Sequence, residues 1–117
     1  MRVANVATAL ANQGLEVVDR GNLRGPSNPS LPPVDGYRHL AEVVKWSRLL
    51  HEAVYAELCL ERLPITLGGD HSLAIGSISA VARRCRETGK KLRILWLDAH
   101  ADFNTSTLTP SGNIHGM

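Results

Sequence analysis

Ile94-Leu95-Trp96-Leu97 is an unbroken run of four apolar side chains that ends abruptly at Asp98. A strand with one wet face alternates apolar and polar residues, so a run without alternation implies cover on both faces, as in a parallel strand between helical layers. The neighbouring pattern agrees. Short apolar segments at 15–19, 65–67 and 92–98 predict strands, and the stretches at 36–62 and 72–88 predict helices. Strand, helix, strand, helix, strand is the βαβ order, which predicts an α/β fold of three layers, α-β-α, around a parallel sheet. A further alanine-rich helix is expected over 3–13, stopped by Gly14.

The helix signals are specific. Leu40, Val44, Ser47, Leu50, Val54 and Leu58 recur at intervals of three or four and predict one buried stripe, with Glu42, Lys45, Glu52 and Glu57 off it. Pro64 prevents continuation, and Gly89 closes the second helix, whose small-sided first half suits close packing on a sheet. Residues 20–35 read as a surface loop rich in glycine and proline. All 117 residues fit one partial α/β domain, with no internal repeat.

Composition narrows the function classes. Thirteen basic and eleven acidic side chains leave a net charge of +2, too little to imply nucleic acid or an anionic membrane as partner. Five aromatics offer little stacking surface for single strands. No apolar run approaches the roughly 20 residues of a membrane span. The opening Met1-Arg2-Val3-Ala4-Asn5 lacks the apolar core of a signal peptide. Cys59 and Cys85 lie inside predicted helices and build no disulfide framework, which favours a reduced, cytoplasmic setting.

Chemistry concentrates where predicted strands end, the place at which open α/β sheets bind ligands. Gly68-Gly69-Asp70-His71 leaves the second strand, and Asp98-Ala99-His100-Ala101-Asp102 leaves the third. In extended chain the alternate residues Asp98, His100 and Asp102 share a face at intervals of about 6.6 Å. Two carboxylates and an imidazole so arranged can bracket one metal or two, and oxygen and nitrogen donors without thiolate suit manganese, iron or zinc. The competing reading is a solvated turn, which fits poorly directly after a buried apolar strand. His71 reads either as a further ligand or as a helix N-terminal histidine with Asp70 or Ser72 capping. His115, in the closing Ser111-Gly112-Asn113-Ile114-His115-Gly116, reads as a ligand, a proton carrier or a loop histidine.

Other motifs fail on inspection. His51-Glu52-Ala53-Val54-Tyr55 lacks the second histidine of a zinc-protease helix, and His39 and His51 read as helix-surface residues. The glycines match neither GxGxxG nor a P-loop, and neither Ser72 nor Ser111 sits in a GxSxG elbow.

Gly-Gly-Asp-His-Ser-Leu-Ala-Ile-Gly (68–76), Asp-Ala-His-Ala-Asp-Phe-Asn-Thr (98–105) and Ser-Gly-Asn-Ile-His-Gly-Met (111–117) together resemble the ureohydrolases, and among them the arginases rather than the agmatinases. The resemblance runs across nearly the whole chain and includes Asp19-Arg20-Gly21-Asn22. It implies hydrolysis of L-arginine to L-ornithine and urea by a site that holds two Mn2+ ions. It further implies His71, Asp98 and Asp102 as ligands of one ion, with His100 and the bridging Asp98 as ligands of the other. His115 is implied as the proton shuttle, and Asn104, Thr109 and Ser111 as the groups that bind the amino-acid carboxylate, which agmatine lacks. A pair of divalent ions suits this reaction, because it lowers the pKa of a shared water toward about 7 and so supplies the nucleophile that a guanidinium carbon needs.

One departure accompanies the resemblance. Family members take two more ligand carboxylates from a later Asp-x-Asp motif, and no such pair occurs among these 117 residues. The chain is therefore expected to be an internal piece, truncated at both ends and nearly inactive alone, that belongs to a homo-oligomer when complete. The alternatives are a ureohydrolase acting on agmatine or another guanidino compound, and a non-catalytic fragment that self-associates through open sheet edges.

Overall fold

A computed structural model describes residues 4–117. Residues 1–3, which include the expected start of the first helix, lie outside the described residues.

Three α-helices follow one another: α1 (Val6–Ala11), α2 (Leu40–Cys59) and α3 (Leu73–Glu87), with a closing 3-10 turn at Ile114–Gly116. All lie within the segments where periodicity and stop signals put helix, or in the terminal loop. α3 ends as Gly89 predicts. Gly89 takes φ +68°, its N–H bonds to the Arg86 carbonyl and the Lys90 N–H bonds to the Cys85 carbonyl, so two carbonyls of the last turn gain donors.

α2 and α3 pack against each other and supply the core. Leu50, Val54 and Ala80 are buried, with Tyr55, Leu58, Leu73 and Val81 against them. The expected α2 stripe is thus covered in its C-terminal half, while Leu40 and Val44 at its start stay exposed. The small side chains of α3 serve this helix pair rather than a sheet. At Gly76 the helices approach so closely that a Cβ would stand under 3.0 Å from the main-chain oxygen of Ser47. Polar latches flank the contact. Tyr55 donates its hydroxyl to Glu87 at 2.8 Å, and the Arg83 guanidinium lies 3.8 Å above the Tyr55 ring. His51, expected on a helix surface, reaches across to Ser79 Oγ at 2.9 Å in an exposed contact. The other expected surface histidine, His39, sits at the N-cap of α2.

Among the described residues the expected strands are not paired. Segments 15–19, 65–67 and 92–98 carry no ladder, and the sole bridge among the described residues is an isolated antiparallel one between Val34 and Tyr37. Leu95 and Leu97 are 82% and 87% exposed. An apolar run states what a segment must bury, but a strand exists only when another segment lies alongside to exchange N–H and C=O bonds. Here the three segments run without such neighbours. No helix among the described residues is long and apolar enough to cross a membrane.

Candidate metal centre

Two chain segments bring the candidate metal-binding side chains together. Gly68 and Gly69, with φ of +102° and +77°, turn the chain sharply after 65–67 and deliver His71 just ahead of α3. At the turn Asp70 accepts both the N–H and the hydroxyl of Ser72, the N-cap residue of α3, and His71 between them faces outward. Asp98 and Asp102 come from the end of 92–98 and meet His71 across 27 and 31 residues of sequence.

His71 Nδ1 stands 2.8 Å from Asp102 Oδ2 and 2.9 Å from Asp98 Oδ2. One ring N–H can satisfy only one of these oxygens, and its hydrogen bond goes to Asp102. Asp98 Oδ2 is consequently buried with no hydrogen-bond donor among the described residues, on a side chain only 8% exposed. An orphaned carboxylate oxygen beside a second carboxylate costs free energy unless a cation neutralises it. One ligand atom from each of His71, Asp98 and Asp102 lies within 4.8 Å of the others, so a divalent ion fits the set on donor chemistry. Mixed nitrogen and oxygen donors suit manganese, iron or zinc alike.

The electrostatics follow from this crowding. The hydrogen bond that His71 donates to Asp102, reinforced by the charges of Asp98 and Asp70, holds the imidazole above its ordinary pKa. Asp98 is held below the usual carboxylate range, first by the His100 backbone N–H at 3.0 Å and then by the His71 and His100 rings. A metal must therefore displace a proton from His71 before it can use that nitrogen. Trp96 packs edge-on to His71, 5.3 Å between centroids, which restrains the ring. Trp96, part of the apolar run 94–97, carries no local signal of a place beside the site.

His100 stands apart from the group. Its side chain is 82% exposed and its Nδ1 lies 3.4 Å from Asp98 Oδ1. The alternation that would put 98, 100 and 102 on one face assumes extended backbone, and Asp102 takes φ +44° instead. His115 falls beside the site, with Nδ1 3.6 Å from Asp70 Oδ2.

Asn104, Thr109 and Ser111 lie on one loop, closed by a bond from the Asn104 N–H to the Gly116 carbonyl at 2.9 Å. Thr109 Oγ1 accepts the Gly112 N–H at 3.1 Å, and Ser111 Oγ accepts the Asn113 N–H at 3.2 Å. Both hydroxyls accept, so both O–H protons remain available to an anion. The loop is tied to the start of α2 by Arg38, which donates its N–H to the Gly112 carbonyl and its Nε–H to the Ser111 carbonyl, each at 2.9 Å. Nothing in the local sequence marks Arg38, because its partners lie more than seventy residues away.

The model of the "Arginase family" matches residues 2–117. Among curated proteins the chain is similar to an arginase of Brucella melitensis, 44% identical over 116 residues, which are 98% of this chain and 38% of that protein. An arginase of Brevibacillus brevis is 37% identical over 117 residues, 100% of this chain and 38% of the relative. One from Agrobacterium fabrum is 39% identical over 116 residues, covering 98% and 36%. The chain thus spans less than two fifths of the length of these relatives.

Proposed function

The chain belongs to the arginase family, and from that membership we propose that the complete protein hydrolyses L-arginine to L-ornithine and urea with two Mn2+ ions. The observation that carries the reading is the meeting of His71, Asp98 and Asp102 around a buried carboxylate oxygen with no donor. In the proposal these three residues hold one ion, and Asp98 and His100 contribute to the second. When bound, the ion pair supplies an activated water and stabilises developing negative charge.

The remaining roles belong to the chain's own side chains. Thr109 and Ser111 direct their free O–H groups, and Asn104 its amide, toward the α-carboxylate of arginine, which orients the guanidinium at the other end of the substrate. His115 carries a proton to the departing amine nitrogen, with its ring beside Asp70. A three-layer α-β-α fold with a parallel sheet belongs to the same proposal, as do a cytoplasmic setting and a homo-oligomeric complete protein. The three ligands grouped here amount to less than a two-metal site, so the 117 residues alone are proposed to release little or no urea.

Urea release from L-arginine, agmatine and guanidino acids, measured with added Mn2+ on the complete protein and on this chain, tests the reading. Preference for arginine is expected, with a raised KM on substitution of Asn104, Thr109 or Ser111. Preference for agmatine would transfer the assignment to another ureohydrolase, and strong turnover by the 117 residues would refute the missing-ligand argument.

A second reading rests on the bare segment 94–97. With Leu95 and Leu97 open to water, copies of the chain can pair through these segments. Size-exclusion chromatography over a dilution series distinguishes a self-associating chain from a monomer.

A further inference from the structure

The first turn before α2 has a rigid geometry. Val34 and Tyr37 exchange both backbone hydrogen bonds at 2.9 Å, and the two residues between them, Asp35 and Gly36, take φ of +50° and +83°. Two positive φ angles in succession are what a tight two-residue hairpin demands, and Asp-Gly is a favoured pair for it. Arg38 leaves this turn and enters His39, whose carbonyl already accepts from Val43 in α2. The Arg38 backbone is therefore held on both sides.

From that anchor Arg38 grips two consecutive peptide units. The unit joining Ser111 to Gly112 offers its carbonyl to Arg38 Nε, and its N–H, on the opposite side of the plane, bonds to Thr109 Oγ1. The next unit offers its carbonyl to the Arg38 N–H, and its N–H bonds to Ser111 Oγ. A trans peptide holds C=O and N–H antiparallel, so fixing one side aims the other. Donation into each carbonyl also polarises the unit and strengthens the N–H on its far side. Gly112 is buried with φ +71°, and a Cβ there would collide with the Gly36 carbonyl, so the loop lies flat against the turn.

We propose that Arg38 is a positioning residue for substrate specificity: by aligning the 111–112 and 112–113 peptide planes it aims the Thr109 and Ser111 hydroxyls at a ligand carboxylate. The inference rests on the arginine reading above and extends it to a residue outside the three motifs. Arg38 is exposed, so its truncation spares the core.

The test uses Arg38→Ala and Arg38→Lys in the complete, Mn2+-loaded protein. For Arg38→Ala the KM for L-arginine and the inhibition constant of L-ornithine rise about tenfold, the effect of one weakened carboxylate hydrogen bond. The kcat and manganese content stay within about twofold. Inhibition by agmatine, which has no carboxylate, is unchanged, and Arg38→Lys restores part of the loss through a single donor. Equal weakening toward L-ornithine and agmatine overturns the proposal, because that is general loop damage. Independently of activity, Arg38→Ala in the 117-residue chain accelerates amide exchange at Gly112 and Asn113. Unchanged exchange overturns the clamp whatever the site binds. Faster exchange with unaltered L-ornithine affinity overturns the specificity role and leaves the arginine reading standing. A wild-type complete protein that binds neither L-arginine nor L-ornithine overturns both.

Discussion

Replacing Gly76 by alanine sets two effects of opposite sign against each other. In a helix interior alanine is favoured over glycine by about 1 kcal/mol, so propensity alone raises stability. Against it stands the contact with α2. The new Cβ would stand under 3.0 Å from the Ser47 main-chain oxygen and 3.1 Å from Ser47 Cα, whereas ordinary contact begins at 3.4 Å. Those neighbours are backbone, so no rotamer change relieves the overlap and the helices must separate. Overpacking of this kind costs about 1–3 kcal/mol, which exceeds the propensity gain. The net expectation is a loss near 1 kcal/mol, or about 4 °C in Tm for a domain of this size. Thermal melts of the 117-residue chain followed by far-ultraviolet circular dichroism measure it. Ser47→Ala is the companion variant. It deletes a buried hydroxyl without a partner, so it should stabilise by up to about 1 kcal/mol, and it leaves the clashing oxygen in place. The Gly76→Ala loss must therefore persist in the Ser47→Ala background. A rise in Tm for Gly76→Ala would refute the close approach of α2 and α3.

Two further perturbations probe the metal site and the helix latch. Asp98→Ala in the complete protein should lower manganese content more than His100→Ala, because Asp98 is proposed to touch both ions; equal stoichiometry by atomic absorption contradicts bridging. Tyr55 should titrate late. The Glu87 carboxylate holds its proton and pushes its pKa up to about 12 from an ordinary 10.0. A pKa raised on folding gives stability that is full below pH 10 and lost as pH climbs toward 12. Tyr55→Phe should remove that alkaline dependence together with the late phenolate absorbance step, and a Tyr55 step near pH 10 contradicts the latch. Glu87 moves the opposite way, lowered first by the Tyr55 hydroxyl, so its contribution is present above its ordinary 4.5 and fades as pH falls.

Helices were legible because each announces itself locally. Periodic apolar spacing, Pro64 and Gly89 bound α2 and α3 to within a few residues of where they lie. The sheet was not legible in the same sense, since Ile94 to Leu97 state a need for cover without naming who provides it, and pairing depends on segments far apart. Site residues divide likewise. His71, Asp98 and Asp102 stand out as charges on glycine turns and apolar strand ends. The expected place of His100 depended on extended backbone through 102, which the left-handed Asp102 interrupts. Arg38 carried no local signal, because an arginine after a turn looks like any surface arginine until the loop it holds is in view.

The helix pair holds nearly all the buried apolar surface, while every proposed chemical group lies outside it, on loops or in the closing 3-10 turn. Cooperative melting of this chain therefore reports on the α2–α3 pair alone. A variant can lose the candidate metal-binding loops and still melt like the parent, so a thermal screen would pass it. Only a reporter placed on the loops, such as the fluorescence of Trp96 beside His71, registers whether the working end of the molecule is intact.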